Sequence, residues 1–487
     1  MAQPERANAT PPLPITVARR RLVKASDPSL QPHVLAVSNL DLIPNAHQSL
    51  VSCVYPKPLS GDFGAVVAAF EAHLPSFLNY FFPLAGRIVV DPSSGLPEIH
   101  CLNQGAELVV GEASVALGSL DWGRPDTLKR IHVPYADELP LSVQLLSFAC
   151  GGFAVVWATN MLIGDGSFES MLVRTWSEMV RTGAIASGDA PNHDRSVFRR
   201  PRDPPSYGEA VARMFTVWDG HEQQVGALSA AEAPSFVDRL YYIEERDVAR
   251  LRAAASAGDG GQRATRVQAV SAYLWKLLAG VAARDGQSRC QMMWWVDGRR
   301  RLSSPELRSA LRCYVGSVMS SVAAEEDAET VLRRPLPEVA AMVRDAIASP
   351  NYDELFQELV DFVEVHKPKW LFEAPLVGDG LGGSLPTVAL SMWTSFVPAD
   401  GDFGFGPAAL ILPVNPSEWT SALGAAVLHV AARPGDSGSW IVQAESMSPG
   451  LAAALEDDEE RVFKPLTAEY LGLSHTCHLL HDETARV

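Results

Sequence analysis

The chain has 487 residues, of which 47% are hydrophobic and 20% are charged, and its formal net charge is −17. This length exceeds what one hydrophobic core supports, so two domains of roughly 200 residues each are expected. The acidic balance argues against nucleic acid or an anionic membrane surface as the main partner, whereas a polyanionic small molecule needs only a local basic patch.

The cysteines and the N-terminus indicate the compartment. The six cysteines are scattered without a CxxC pair, which predicts buried, reduced thiols. Residues 1–12 are polar and contain prolines, so they are expected to be disordered and lack the apolar segment of a signal peptide. The sequence contains no run of ~18 apolar residues, so no membrane span is predicted. We therefore expect a soluble, cytoplasmic protein.

Several elements of the first half are predicted from periodicity. Residues 17–23 are typical of a first strand. Residues 65–82 carry apolar side chains at helical spacing, which predicts a helix with one buried face. The apolar runs 141–149 and 153–159 are joined by a Gly-Gly pair at 151–152, which predicts a β-hairpin.

A strand-to-helix junction follows this hairpin at residues 160–166, NMLIGDG. Asp165 is the predicted N-cap of an amphipathic helix that ends at Gly183. Active-site groups are commonly found at such junctions in large α/β enzymes. Residues 187–209 are rich in proline, arginine and serine, which predicts a linker out of the first domain.

The second half also mixes helices and strands. Residues 254–262 predict a mobile loop, and residues 267–283 predict a helix. Strands are predicted at 292–296, 387–393 and 440–444. Because strands and helices do not alternate strictly, the pattern favours two α/β sandwiches over a Rossmann domain.

The motifs of the chain resemble those of a known family. They are residues 80–87 (YFFPLAGR), 160–166, 314–317 (YVGS) and 402–407 (DFGFGP), in this order along the chain. Together they resemble the plant BAHD family of acyl-CoA-dependent acyltransferases, whose signatures are HxxxDG and DFGWG. The second signature is present with Phe405 in place of tryptophan.

The resemblance implies an α/β fold of two similar mixed-sheet domains with a channel between them. The N-terminal domain is expected at 13–200 and the C-terminal domain at 236–473, joined by a crossover linker at 201–235. A flexible tail is expected at 474–487.

The first signature departs from the family at its catalytic position. Met161 stands where the family has its general-base histidine, whereas Asp165 is retained. A thioether has no titratable proton and is a weak acceptor, so Met161 cannot be that base. In the family the aspartate points away from the substrate and pairs with an arginine. Arg299 matches that arginine best, and Arg301 is the next candidate.

The resemblance assigns other residues to supporting roles. Ser391 and Trp393 match positions that line the acceptor pocket in some relatives. The glycine-rich loop is structural in the family and lies near the entrance for CoA. Its matching residues here are Asp402, Gly404, Phe405 and Gly406.

Two further segments have some features of ligand sites. Residues 378–383 are glycine-rich but lack the Gly-Lys-Ser/Thr of a phosphate-binding loop, so they predict an ordinary loop. His475, Cys477, His478 and His481 resemble a metal-ligand cluster, but their place at the end of the chain favours a frayed tail. No metal site is therefore predicted.

The predicted function is transfer of an acyl group from acyl-CoA to a hydroxyl or amine of a specialised metabolite. General-base catalysis contributes ~10²–10⁴-fold, so loss of the histidine predicts a slow enzyme. The alternative is a non-catalytic protein of the same fold that binds acyl-CoA or a partner enzyme. The protein is expected to be monomeric, with acyl-CoA as co-substrate and no permanently bound cofactor.

Overall fold

The computed structural model describes residues 13–474, apart from 46, 199, 219–235, 258–262, 375–384, 395–400 and 415–424. Two large sheets and two small ones are formed by the described strands. The strands are β1 (Ile15–Val23), β2 (His33–Leu35), β3 (Gln48–Tyr55), β4 (Arg87–Val90), β5 (Pro97–Cys101), β6 (Ala106–Ala113), β7 (Leu141–Phe148), β8 (Phe153–Asn160), β9 (Phe215–Trp218), β10 (Val237–Ile243), β11 (Arg289–Asp297), β12 (Met319–Asp327), β13 (Trp370–Glu373), β14 (Thr387–Trp393), β15 (Leu410–Val414), β16 (Ala425–Arg433), β17 (Asp436–Met447) and β18 (Lys464–Pro465).

The longer helices begin at polar capping residues. Asp62 accepts a hydrogen bond from the amide of Ala65, and Thr265 forms a capping box with Gln268. The described α-helices are α1 (Asn39–Leu42), α2 (Phe63–Tyr80), α3 (Asp126–Arg130), α4 (Gly166–Thr182), α5 (Glu209–Ala212), α6 (Glu245–Ala255), α7 (Arg266–Arg284), α8 (Pro305–Leu311), α9 (Ala328–Arg333), α10 (Leu336–Ala348), α11 (Tyr352–His366) and α12 (Pro449–Glu456).

The first large sheet has six strands in the order β1-β6-β7-β8-β3-β15. β6 and β7 are parallel, and the other neighbours are antiparallel. Side chains of β8 alternate between two cores: Val155 and Trp157 pack with α2 and α4, whereas Val156 and Ala158 face the second half of the chain. This sheet is therefore covered on both faces.

The outer strand of the first sheet comes from the second half of the chain. β15 pairs antiparallel with β3, so that Leu410 lies opposite Val54 and Val414 opposite Leu50. The chain therefore returns to its first sheet after most of the second sheet has been formed.

The second large sheet has seven strands in the order β12-β11-β14-β16-β17-β10-β18. The three strands β11, β14 and β16 are parallel, and the remaining pairs are antiparallel. Trp275 of α7 packs against Trp294 of β11, with ring centroids 6.1 Å apart. α7 therefore covers one face of this sheet.

An apolar layer joins the two large sheets. Leu50 and Leu412 of the first sheet belong to the same buried cluster as Leu240 and Ile441 of the second. The predicted class, α/β with two mixed-sheet domains, is confirmed, and the channel between them stays a prediction. The exact boundaries of the domains stay a prediction.

Most of the predicted elements are present. The hairpin is formed by β7 and β8, and the helix that begins after Asp165 ends at Gly183, whose φ is +83°. Within the predicted linker, α5 and β9 are ordered, because β9 pairs with β13. The predicted loop at 254–262 begins later than expected, since α6 continues to Ala255.

Some expectations concern residues outside the described part of the chain. These are the N-terminal segment 1–12, the glycine-rich segment 378–383 and the histidine cluster beyond 474. The described cysteines form no disulfide with one another. In the described residues, every helix is too short or too polar to cross a bilayer.

Candidate active site

A tight turn joins β8 to α4 and carries residue 161. The Oδ1 atom of Asn160 accepts a hydrogen bond from the amide of Leu162, and its carbonyl accepts one from Ile163, both at 2.9 Å. The amide of Met161 donates to the carbonyl of His47, also at 2.9 Å. Met161 is half-buried. The backbone at 161 is therefore fixed by its own turn and by the residue that precedes β3.

Asp165 begins α4 and is fully buried. Its Oδ1 atom accepts hydrogen bonds from the amides of Ser167 (3.0 Å) and Phe168 (3.3 Å), as an N-cap does. Its Oδ2 atom accepts from Nη1 of Arg299 (2.7 Å) and from the amide of Val318 (2.9 Å). The predicted N-cap and the predicted ion pair are both present.

Arg299 links this junction to the second half of the chain. Its Nη2 atom donates to the carbonyl of Gly316 at 2.8 Å. Burial lowers the pKa of Arg299, but the carboxylates beside it raise that pKa more, so the guanidinium stays charged. Arg301, the other candidate, lies instead over the ring of Tyr352, with its Cζ atom 4.9 Å from the centroid.

A second buried ion pair supports the same turn. Nη1 of Arg195 lies 2.8 Å from Oδ1 of Asp41, and Nη2 donates to the carbonyl of Ile163 at 3.0 Å. The amide of Ser317 donates to the same Asp41 oxygen at 2.7 Å. The two ion pairs therefore clamp the turn after residue 161 onto a segment of the second half.

Sequence reasoning missed this second pair. Arg195 lies in the stretch 187–209, which its composition predicts to be a linker, and it is far from Asp41 along the chain. One local signal did exist: Ser38 and Asp41 form a capping box at the start of α1. A capping box involves only neighbouring residues and does not predict a distant arginine. The pair of Asp41 with Arg195 can therefore be identified only from the folded structure.

Glu169 is a buried carboxyl on α4 that was also missed. Its Oε1 atom accepts a hydrogen bond from the hydroxyl of Thr159 at 3.2 Å. Burial raises the pKa of Glu169 to about 7, although the hydroxyls of Ser49 and Thr159 oppose the rise. The residue lies one helical turn after Asp165, and its carboxyl faces β8 from α4.

Trp393 comes from the end of β14 and lies against the start of α4. A Cβ atom added to Gly166 would stand 2.7 Å from Cζ2 of Trp393. The indole Nε1 donates to Oγ of Ser391 at 3.1 Å, and both residues are half-buried. A small pocket beside Trp393 is lined by Val51, Ile411, Pro413, Ala431, Ala432 and Pro434. The structure thus brings Ser391 and Trp393 to the junction that carries residue 161.

The loop at 402–406 is held by its own backbone. Oδ1 of Asp402 accepts hydrogen bonds from the amides of Gly404 (2.8 Å) and Gly406 (3.2 Å). The φ angles of the two glycines are +102° and +103°, which residues with a Cβ atom rarely adopt. The Phe403 ring is buried, and the carbonyl of Phe405 accepts from the amide of Leu59 at 3.0 Å.

This loop lies far from residue 161. The hydroxyl of Tyr55, at the end of β3, donates to the carbonyl of Gly401 at 2.6 Å. Met161 contacts the residue that precedes the other end of β3. Eight residues of extended strand separate the two places by roughly 25 Å. The structure therefore does not bring Asp402, Gly404, Phe405 and Gly406 to the junction.

The charged groups described at the junction form ion pairs with one another. Asp165 and Arg299 hold the helix start, and Asp41 and Arg195 hold the turn before it. Within the described ranges, no three histidine, cysteine or carboxylate side chains converge as metal ligands do. The arrangement therefore fixes backbone and side-chain positions around residue 161.

Comparisons with known proteins assign the chain to a family. The model of the Transferase family matches residues 13–460. Agmatine hydroxycinnamoyltransferase 1 of Oryza sativa subsp. japonica is 27% identical over 409 residues, which cover 80% of this chain and 88% of that protein. Anthranilate N-benzoyltransferase protein 1 of Dianthus caryophyllus is 25% identical, over 76% of this chain and 84% of that protein.

Solved structures share the fold at lower identity. Vinorine synthase is 19% identical with a TM-score of 0.63, over 94% of this chain and 98% of that one. F. graminearum TRI101, crystallised with coenzyme A and deoxynivalenol, is 15% identical with a TM-score of 0.69, over 89% and 99%. From the family match and the shared two-sheet fold, the chain belongs to the Transferase family of BAHD acyltransferases.

Proposed function

We propose that the protein transfers an acyl group from acyl-CoA to a hydroxyl or amine of a small molecule. The observation that supports this most directly is the junction around residue 161. Two buried ion pairs and the Trp393 contact hold that turn, at the position where the resemblance puts the general base of the family. A turn that is fixed by these contacts preserves the positioning of the two substrates, on which acyl transfer depends.

The donor is proposed to carry an aromatic acyl group. Several relatives are named for hydroxycinnamoyl or benzoyl transfer, and several of their names specify amine acceptors such as agmatine, putrescine or anthranilate. The TRI101 neighbours were crystallised with coenzyme A. Coumaroyl-CoA and benzoyl-CoA, offered with these amines, are therefore the first substrates to test. No permanently bound cofactor is proposed.

The residues have distinct proposed roles. Met161 stands at the reacting position without providing a base, and Asp165 and Arg299 hold the turn that presents it. Ser391 and Trp393 are proposed to line the acceptor side. The loop formed by Asp402, Gly404, Phe405 and Gly406 is proposed to act only through the packing of the first half.

The rate is proposed to be below that of relatives that carry the histidine. Positioning of two substrates corresponds to effective molarities of ~10⁵–10⁸ M, whereas a general base contributes ~10²–10⁴-fold. Loss of the base at 161 therefore leaves most of the catalytic advantage in place. We also propose that the protein acts as a cytoplasmic monomer.

A second function is favoured by the same residue. Met161 replaces the general-base histidine of the family. This replacement is expected in a protein that binds acyl-CoA, or a partner enzyme, without catalysing transfer. The intact buried network is equally compatible with binding alone, because it supports the fold at the junction.

A paired assay separates the two functions. Release of free CoA thiol is measured with a panel of acyl-CoAs and mixed acceptors, and thermal shifts are measured with the same acyl-CoAs. Acceptor-dependent thiol release supports the transferase. A thermal shift without thiol release supports the binding protein and contradicts the transferase.

A further inference from the structure

A short segment of the first half contacts both the turn at residue 161 and β13. The amide of Met161 donates to the carbonyl of His47 at 2.9 Å. Two residues before His47, Nδ2 of Asn45 donates to the carbonyl of Leu371 at 2.7 Å, and the amide of Leu371 donates to Oδ1 of Asn45 at 3.1 Å. Leu371 lies in β13, two residues before Glu373. The same segment therefore holds the turn at 161 and the strand that ends at Glu373.

Glu373 is hydrogen-bonded to the second large sheet. Nε1 of Trp295, on β11, lies 3.1 Å from Oε1 and 2.9 Å from Oε2 of Glu373 and donates to this carboxyl group. Both residues are half-buried. A carboxylate attracts a cation through its charge, and an indole does so through the face of its ring. The pair therefore has the chemistry of a cation-binding site.

Trp295 places this carboxyl group beside Ser391. Trp294 pairs with Leu390 in the parallel ladder of β11 and β14, so the next residues, Trp295 and Ser391, lie on neighbouring strands and face the same side. On its other side Ser391 pairs with His429 of β16. The ring centroids of Trp295 and His429 are 6.5 Å apart. Ser391 therefore lies between the two rings, one strand from the indole that donates to the carboxyl group.

The strand of Ser391 continues to the start of α4. Nε1 of Trp393 donates to Oγ of Ser391 at 3.1 Å, and the ring of Trp393 lies against Gly166. Ser391 and Trp393 are both half-buried. They separate Glu373 from the helix start that follows residue 161. A molecule that reaches both ends of this row must therefore be elongated.

His429 is an unpaired polar group on the same row. Its exposed fraction is 8%, and within the described part of the chain neither ring nitrogen has a hydrogen-bond partner. Burial lowers the pKa of His429, so the ring is neutral at pH 7 and does not repel a cation. Buried polar groups almost always have hydrogen-bond partners, so the ring is expected to receive one from a bound polar molecule.

We propose that Glu373 is a specificity-determining residue whose carboxylate binds the distal cation of an elongated amine acceptor. This inference rests on the proposed acyl transfer and narrows its acceptor class. The acceptor carries a reacting amine at one end and an ammonium or guanidinium group at the other. The cation lies against Glu373 and Trp295, and the amine reaches the turn at residue 161. The net charge of −17 also favours the approach of a cation.

The experiment compares agmatine with pentylamine as acceptors for coumaroyl-CoA, because both are primary alkylamines and only agmatine has a distal cation. The quantity measured is the ratio of their kcat/KM values, which is expected to favour agmatine in the wild type. Glu373→Gln keeps an oxygen for the Trp295 hydrogen bond and removes the charge. It should lower the ratio by roughly 10- to 100-fold, the contribution of a hydrogen bond to a charged group.

Two further variants separate the charge from support of the fold. Glu107→Gln removes a buried carboxylate from β6, which accepts hydrogen bonds from Ser142 (2.6 Å) and Arg20 (3.1 Å), and should leave the ratio unchanged. Glu373→Asp keeps the charge but shortens the reach to Trp295, so it should retain more of the ratio than Glu373→Gln. If Glu373 only supports Trp295, the order of these two variants is reversed, and the inference is overturned.

The pH dependence gives a second measure of the charge. Burial raises the pKa of Glu373 to about 7, although hydrogen bonds from Trp295 and Ser321 oppose the rise. The ionised fraction of such a group rises about tenfold from pH 6 to pH 8. The ratio for the wild type should rise by the same factor, and the ratio for Glu373→Gln should stay constant. An equal rise in Glu373→Gln would overturn the inference, since another group would then be responsible.

The remaining outcomes distinguish this inference from the proposed function. If the wild type acylates both amines and Glu373→Gln leaves the ratio unchanged, the role of Glu373 is overturned and the transferase stands. If the wild type acylates neither amine, the proposed function is overturned, and calorimetric titration with agmatine tests the site alone. Weaker binding to Glu373→Gln than to the wild type then supports the cation site, whereas equal binding or none overturns it.

Discussion

The carboxylate of Asp165 and the guanidinium of Arg299 form a buried ion pair, 2.7 Å long, between the first and second halves of the chain. Both side chains are shielded from water, with exposed fractions of 0% and 7%. Removal of one partner from such a pair leaves the other charge buried and uncompensated, which typically costs ~3–5 kcal/mol. The pair therefore fixes how the two halves meet at residue 161.

Asp165→Ala is accordingly expected to lower the free energy of unfolding by ~3–5 kcal/mol, measured by urea denaturation. The kcat per folded molecule should also change, but its change, converted to free energy, should be smaller than the loss of stability. Arg213→Ala, in an exposed pair with Glu209, is the control and should cost below ~1 kcal/mol. A loss from Asp165→Ala no larger than that of the control would contradict the role of the pair.

Met161→His is expected to raise acceptor-dependent CoA release by roughly 10²-fold, because it places an imidazole at the reacting position. Methionine adapts to irregular space, so the exchange is sterically mild. Met161→Leu is the matched apolar control and should give no gain. A folded Met161→His protein that binds acyl-CoA without any gain would show that other parts of the site no longer support transfer.

Gly166→Ala should disturb the contact between α4 and Trp393, because the new methyl group would stand 2.7 Å from the indole ring. Alanine favours a helix over glycine by ~1 kcal/mol, so a net loss of stability would come from the displaced ring. Combining Gly166→Ala with Trp393→Leu should recover most of that loss. Equal losses with and without the indole would refute the contact as the cause.

The two glycines of the 402–406 loop should differ in their response to alanine. Both have a φ near +100°, so each substitution strains the backbone by ~1–3 kcal/mol. A Cβ atom on Gly404 meets no atom within 4 Å, whereas one on Gly406 would lie 2.9 Å from Leu59. Thermal denaturation should therefore rank Gly406→Ala as the less stable variant. The reverse order would be inconsistent with the loop described above.

Glu169→Gln should change how stability depends on pH. The pKa of the folded carboxyl is about 7, above the ordinary 4.5, because of burial. Its favourable contribution is therefore fully present below pH 4.5 and is lost as the pH rises through 7. The stability gained by Glu169→Gln should be larger at pH 8 than at pH 5 by roughly 2 kcal/mol.

Urea denaturation at the two pH values measures this difference. Glu329→Gln, which removes an exposed carboxyl from α9, is the control and should show no such dependence. A pH-independent effect of Glu169→Gln would mean that the buried carboxyl titrates in its ordinary range.

Local features of this protein were predictable from sequence. The N-cap at Asp165 and the helix end at Gly183 follow from residues close together in the chain. The partner of Asp165 was predicted from family resemblance, because the Arg299 segment matches a motif of that family. The loop at 402–406 was recognised in the same way.

Contacts between distant segments were not predictable. Asp41 and Arg195 meet because α1 and the segment after α4 pack on the same turn, and neither stretch carries a motif for the other. The pairing of β9 with β13 is similar, since a four-residue strand within a proline-rich region has almost no periodic signal. The hydrogen bond from the amide of Met161 to the carbonyl of His47 likewise depends on the register of β3 and β8.

The β15 strand has a consequence for the synthesis of this protein. β3 keeps an open edge from the time it leaves the ribosome until residues 410–414 are made. At ~5–20 residues per second this interval is on the order of 20 to 70 s. During it, the nascent chain presents unpaired backbone groups on an apolar strand, which is a template for association with other chains. A fragment that ends before β15 should therefore aggregate, and co-expression of residues 410–487 should recover soluble protein only if β15 reaches that edge first.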